Sequence, residues 1–151
     1  MNATGAVSPK QTNDRLRVMT VDDERIVGER LKVALSKHGL DVTTHVDPEQ
    51  ARQQLADTEY DIVVTDLRMD EVDGIQILEH AISIRPQTRV ILITGYASVD
   101  VAREALSKGA FDFIAKPFTA KDLRAVIHKA ALSLGHKGLE QTDDRGSPNP
   151  G

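Results

Sequence analysis

Four apolar segments of this chain each run into a reactive or charged group. Ile62-Val63-Val64-Thr65 ends in Asp66, and Arg17-Val18-Met19-Thr20-Val21 runs into Asp22-Asp23. Val90-Ile91-Leu92-Ile93 runs into Thr94, and Phe111-Asp112-Phe113-Ile114-Ala115 into Lys116-Pro117. If the segments are neighbouring parallel strands, three carboxylates, a hydroxyl and an amine meet at one edge of a sheet. Three carboxylates so placed repel: two unit charges 4 Å apart cost about 4 kcal/mol at an effective dielectric near 20. A hard divalent cation with oxygen ligands offsets that cost, and Mg²⁺ favours few carboxylates, several waters and a phosphate. The lysine adds a charge able to pair with a phosphoryl oxygen, and the threonine hydroxyl can donate to one.

Each residue has a plainer reading. Asp22-Asp23 precedes a helix, where Asp commonly caps or fills the first turn. Asp66 alone reads as a turn residue, Lys116 as a solvated lysine and Thr94 as a strand former. Their order, each at a strand terminus, outweighs the separate readings. Gly95 and Ala97 are small and leave room beside Thr94.

The elements that must position them alternate along the chain. The first strand covers about 17–21. A helix follows with Val27, Leu31, Ala34 and Leu35 at helical spacing, and Gly39 closes it. Residues 41–46 suit a second strand, and Asp47-Pro48 reads as an N-cap followed by Pro at the first helical position. Ala51 and Leu55 continue that helix. The third strand ends at Asp66. Residues 74–84 carry Ile75, Leu78 and Ile82 on one face, and Arg85-Pro86 stops the helix. After the fourth strand, residues 98–107 form a helix with Val101, Ala105 and Leu106 as candidates for its inner face, and Gly109 stops it. The fifth strand ends near Ala115. Thr119-Ala120-Lys121-Asp122 resembles a capping box, and Leu123, Val126, Ile127, Ala130, Ala131 and Leu134 give the last helix a broad apolar face. Five βα units predict an α/β fold: a doubly wound, five-stranded parallel sheet, (βα)5, with helices on both faces. Such sheets carry their sites at the carboxyl ends of the strands.

Composition narrows the function classes. The chain has 151 residues, enough for one domain with a real core. Residues 1–14 read as a disordered lead, 15–134 as the folded domain and 135–151 as a disordered polar tail. The formal charge is −4 with no basic stretch, and aromatics are 3%, which argues against direct nucleic-acid binding and against an anionic membrane as partner. There is no cysteine, so thiolate metal sites and disulfides are excluded. No apolar run is long enough to cross a bilayer, and 1–15 lacks a hydrophobic signal core, so the expected location is cytoplasmic. The five histidines show no metal spacing, and no glycine-rich phosphate loop is present.

The residues resemble the receiver domain of two-component response regulators. The matching text is Val21-Asp22-Asp23-Glu24, Thr65-Asp66-Leu67-Arg68-Met69 with Asp73-Gly74, Ile93-Thr94-Gly95-Tyr96-Ala97, and Gly109 through Phe118. The resemblance covers 17–134 and implies a flavodoxin-like sheet in strand order 2-1-3-4-5, together with roles for the residues. Asp66 is the expected phosphoacceptor. Asp22 and Asp23, with Asp66 and the backbone carbonyl of Arg68, are the expected ligands of Mg²⁺ (or Mn²⁺). Thr94 and Lys116 are the expected switch hydroxyl and phosphate-binding lysine, Phe113 the switch aromatic, and Lys116-Pro117 a cis bond, in keeping with the near confinement of cis bonds to X-Pro. The implied donor is a sensor histidine kinase or a histidine phosphotransfer protein. The signal passes to an unknown downstream protein through the fourth helix, fifth strand and fifth helix, whose apolar residues could also support a phosphorylation-dependent homodimer. The implied protein phosphorylates itself and slowly loses the group, and is not a conventional enzyme.

Two positions depart from the family pattern. Asp70-Glu71 follows Met69 where Met-Pro is usual, removing a fixed φ and adding two charges near an acidic pocket. Phe113 replaces the common Tyr and has no hydroxyl. Arg68 and Tyr96 flank the pocket and are expected to tune phosphoryl lifetime. Competing readings are a phosphohydrolase of the haloacid dehalogenase type, which needs Asp-x-Asp after the first strand rather than adjacent aspartates, and a binding module that works without phosphorylation. The segment 94–118 most resembles receivers attached to transcription activators, so a fragment of a longer protein is a further expectation. The initial Met1 and the polar tail instead suit a complete single-domain protein.

Overall fold

A computed structural model describes residues 15–69, 73–95 and 99–137. The lead, most of the tail, Asp70-Glu71, Tyr96, Ala97 and Ser98 therefore lie outside the described residues. Five strands and five helices alternate: β1 (Arg17–Val21), α1 (Arg25–Ser36), β2 (Asp41–His45), α2 (Pro48–Asp57), β3 (Ile62–Asp66), α3 (Gly74–Ile84), β4 (Arg89–Thr94), α4 (Val99–Ser107), β5 (Asp112–Ala115) and α5 (Ala120–Ser133). The strands form one parallel sheet in the order β2-β1-β3-β4-β5, the predicted 2-1-3-4-5 arrangement.

The apolar runs explain why the middle strands sit at the centre. All five residues of β3 are buried, as are the last five of β4, as expected for strands covered on both faces. Their side chains divide between two cores. Met19, Val21, Val63 and Leu92 pack with Ala51, Leu55, Ile77, Leu78, Ala81 and Ala105 of α2, α3 and α4. Val18, Val64, Ile91 and Ile93 pack with Leu31, Leu35, Leu123, Ile127, Ala130 and Ala131 of α1 and α5.

Local signals set the helix ends. The Asp47 side chain accepts from the Glu49 amide with Pro48 at the first position of α2, and Thr119 and Asp122 form the reciprocal capping box of α5. Gly39 and Gly109 take φ values of 80° and 109° after α1 and α4, the left-handed conformation that suits glycine at a helix exit. Gly135 and His136, assigned above to the tail, close α5 by donating to the carbonyls of Leu132 and Ala131.

Three details differ from the periodicity. The inner face of α3 is Ile77, Leu78 and Ala81, with Ile75 and Ile82 only partly buried against the core. In α4 the buried residues are Ala102 and Ala105; Val101 is partly buried, and Leu106 is 37% exposed. The second strand stops at His45 rather than Val46.

Candidate functional site

The ladder continues one step past the carboxyl ends of the strands. The amide of Asp22 donates to the His45 carbonyl at 3.1 Å, that of Leu67 to Ile93 at 2.8 Å, and that of Lys116 to Thr94 at 2.7 Å. Asp66 itself is in register with Ile93. These bonds fix the four terminal groups relative to one another before any side chain is considered.

The side chains then converge. One carboxylate oxygen from each of Asp22, Asp23 and Asp66 lies within 4.8 Å of the others. Lys116 donates from Nζ to Asp66 Oδ2 at 3.1 Å, and the same nitrogen stands 4.0 Å from Asp22 Oδ2 and 3.8 Å from Glu24 Oε1. The Arg68 amide donates to Asp66 Oδ1 at 3.1 Å, turning the backbone after β3 back over the pocket. Thr94 is buried at the end of β4, and its hydroxyl donates to the Gly95 carbonyl. Phe113 is half-buried against the core shared with Met19 and Leu92, three residues before Lys116. The Lys116–Pro117 peptide bond is cis.

The electrostatics are those of an acidic pocket short of positive charge. Asp22 is 2% exposed, and burial pushes its carboxyl above the ordinary value. The Glu24 amide, bound to Oδ1 at 2.9 Å, and Lys116 pull it down, while the charges of Asp66 and Glu24 add to the rise. Burial alone would lower Lys116, but the hydrogen bond to Asp66 and the charges of Asp66, Asp22 and Glu24 hold its ammonium above the usual lysine value. Asp22 Oδ2 is buried and has no hydrogen-bond partner. A buried carboxylate oxygen left in this way is costly. Three carboxylates, one of them with an orphaned oxygen, suit a small divalent cation, so the donor set fits Mg²⁺.

Two residues that shape the pocket were given no role from the sequence. Glu24, next to the acidic pair, reaches Lys116. Gly74 packs against the backbone that follows Asp66: a Cβ there would stand 2.5 Å from the Asp66 carbonyl oxygen and 2.8 Å from Leu67 Cα. Its amide donates to the Leu67 carbonyl, and Asp73 with Gln76 forms a reciprocal capping box beside it. The Asp-Gly pair before a helical stripe was the available signal.

The chain matches the Response regulator receiver domain family over residues 18–128. It belongs to that family. Among its relatives, Response regulator protein PilR of Pseudomonas aeruginosa is 35% identical over 127 residues, covering 84% of this chain and 28% of PilR. Regulatory protein AtoC of Escherichia coli is 39% identical over 114 residues, covering 76% of this chain and 25% of AtoC. The chain thus spans little more than a quarter of these relatives. Among solved structures, a response regulator receiver domain protein from Clostridium thermocellum superposes with a TM-score of 0.75 at 30% identity, covering 78% of this chain and 95% of that one. A CheY-like receiver domain protein from Methanospirillum hungatei gives 0.76 at 25% identity, over 80% of this chain and 97% of that one. Among the described residues no helix is long and apolar enough to cross a membrane.

Proposed function

We propose that this receiver domain accepts a phosphoryl group on Asp66 from a phosphohistidine donor, a sensor histidine kinase or histidine phosphotransfer protein, and signals through the changed state of its α4–β5–α5 face. The observation that carries the reading is the 3.1 Å contact between Lys116 Nζ and Asp66 Oδ2 inside a cluster whose three aspartates hold oxygens within 4.8 Å. Asp66 is fixed at Oδ1 by the Arg68 amide, which leaves its other oxygen toward the lysine as the face for attack on phosphorus. Lys116 pairs with the transferring oxygens and offsets charge that grows as the group arrives. Asp22, Asp23, Asp66 and the Arg68 carbonyl would hold Mg²⁺, which when bound neutralises phosphoryl charge and orients the donor. After transfer, the Thr94 hydroxyl leaves the Gly95 carbonyl for a phosphoryl oxygen, and Phe113 responds by packing alone, having no hydroxyl to bond.

The test is incubation with Mg²⁺ and a small phosphodonor, followed by mapping of a hydroxylamine-sensitive acyl phosphate by mass spectrometry. Modification is expected at Asp66 and absent in Asp66→Asn. Full labelling elsewhere with Asp66 unmodified would end the reading. The relatives' names favour one downstream role: several are transcriptional regulators, including ZraR of Escherichia coli and NtrC of Azospirillum brasilense. We infer that this receiver, too, serves control of transcription.

A further inference from the structure

Glu24 occupies the N-cap of α1, yet its side chain makes no capping hydrogen bond. Short polar side chains are preferred there because they reach the free amides of the first turn. The first turn itself contains no acidic residue and opens with Arg25. Departures of this kind from local preference concentrate where function requires them. The Glu24 carboxylate goes instead to Lys116, 3.8 Å from Nζ, while 63% of the side chain stays exposed. Its backbone amide is held by Asp22 Oδ1 at 2.9 Å, so the residue cannot drift from the pocket. Glu24 and Lys116 line one groove of about 430 Å³ with Val27, Arg30, Pro117 and Phe118. Lys116, on the wall of that groove, reaches Asp66 Oδ2 at 3.1 Å and Glu24 Oε1 at 3.8 Å, so the Glu24 charge stands beside the group that a donor at Asp66 must meet.

We propose that Glu24 is a specificity-determining residue for the phosphodonor, favouring donors that carry a protonated nitrogen over donors that release an anionic oxygen. The inference rests on Asp66 being the phosphoacceptor. With phosphoramidate, whose nitrogen is protonated at neutral pH, an Asp66 oxygen forms the new O–P bond as the P–N bond breaks. The electron pair of that bond leaves with nitrogen as neutral ammonia. The cationic nitrogen is attracted to Glu24 on approach and still carries part of its charge in the transition state. With acetyl phosphate the P–O bond breaks and the electron pair leaves as acetate, so negative charge grows on the departing oxygen and Glu24 opposes it. Phosphohistidine with a protonated ring belongs to the first class and releases neutral imidazole.

The experiment compares second-order rate constants of self-phosphorylation, in saturating Mg²⁺, for phosphoramidate and acetyl phosphate. It uses the full chain, Glu24→Gln, and Glu29→Gln as a control that removes the same charge from α1 beside Thr44 and Gln50. In Glu24→Gln the ratio of phosphoramidate to acetyl phosphate rate constants is expected to fall about threefold, and the change to shrink at high salt because the carboxylate is exposed. Glu29→Gln should leave the ratio as in the parent. An unchanged ratio in Glu24→Gln, equal slowing of both donors, or an equal shift in Glu29→Gln overturns the proposal. Failure of the parent protein to take phosphoryl from either donor is a separate result, which removes the acceptor reading itself.

Discussion

At the scale of single residues, the pocket is held together against its own charge. Asp22 is buried, its Oδ2 has no hydrogen-bond partner, and Asp66 and Glu24 stand near enough to raise its carboxyl further. Lys116 is placed among them and is shared by all three. Asp22→Asn keeps an oxygen for the Glu24 amide and removes one of the repelling charges. The metal-free variant is expected to be more stable than the parent by about 1–2 kcal/mol, a discounted share of the few kcal/mol that close like charges cost. Mg²⁺ at a hundred times its dissociation constant should stabilise the parent by about 2.7 kcal/mol and the variant by much less. Thermal unfolding with and without Mg²⁺ reads both effects. A metal-free variant less stable than the parent would show that Lys116 already balances the cluster.

At the scale of elements, the strands were legible and the helix faces only partly so, for one physical reason. A strand buried on both sides needs only a continuous apolar run, and 62–66 and 90–93 supply it without ambiguity. A helix rich in apolar residues offers more than one stripe at nearly the same period. In α3, Ile75-Leu78-Ile82 and Ile77-Leu78-Ala81 both fit, and rotation about the axis chooses between them. Gly74 makes that choice, because its missing side chain lets the first turn press on the backbone of Asp66 and Leu67. A Cβ there meets backbone atoms that cannot swing aside. Gly74→Ala is therefore expected to cost about 2–3 kcal/mol in urea unfolding and to weaken Mg²⁺ binding by moving the turn that carries Arg68. A loss of stability with unchanged Mg²⁺ affinity would separate the glycine from the site. The capping box of α5 was readable in sequence and has a testable titration. The Thr119 backbone amide, then its hydroxyl, hold the exposed Asp122 carboxyl below its ordinary value. A carboxyl depressed in the folded state contributes stability above its unfolded value, lost as pH falls through the folded one. Thr119→Ala should return Asp122 toward the ordinary value by NMR titration and flatten that part of the acid limb.

At the scale of the whole molecule, residues 22, 66, 94 and 116 meet because a parallel sheet brings the carboxyl ends of its strands to one edge. The sequence carried that arrangement in its alternation of elements. The lock at the other edge was not legible, since it depends on a loop residue facing a distant backbone amide and a distant guanidinium. Asp61, before β3, is buried; its Oδ2 accepts from the Arg17 amide at 2.8 Å and its Oδ1 lies 3.4 Å from Arg85 Nη1. Arg85 and the Thr88 hydroxyl both donate to the Tyr60 carbonyl, so β1, β3 and the α3–β4 turn are joined at the amino ends of the strands. A five-residue strand, roughly 16 Å long, separates this junction from the pocket. Asp61→Ala leaves the Arg17 amide without its acceptor and Arg85 without its counter-charge. It is expected to cost about 2–4 kcal/mol in chemical denaturation, as for other broken buried networks. Mg²⁺ affinity of the folded fraction should stay within about twofold of the parent, because additivity holds between sites that share no partners. Isothermal titration under conditions where both proteins remain folded measures that affinity directly. A tenfold loss of Mg²⁺ binding would mean that the two ends of the sheet are coupled through the strands, and that the pocket is held from below as well as by its own ladder.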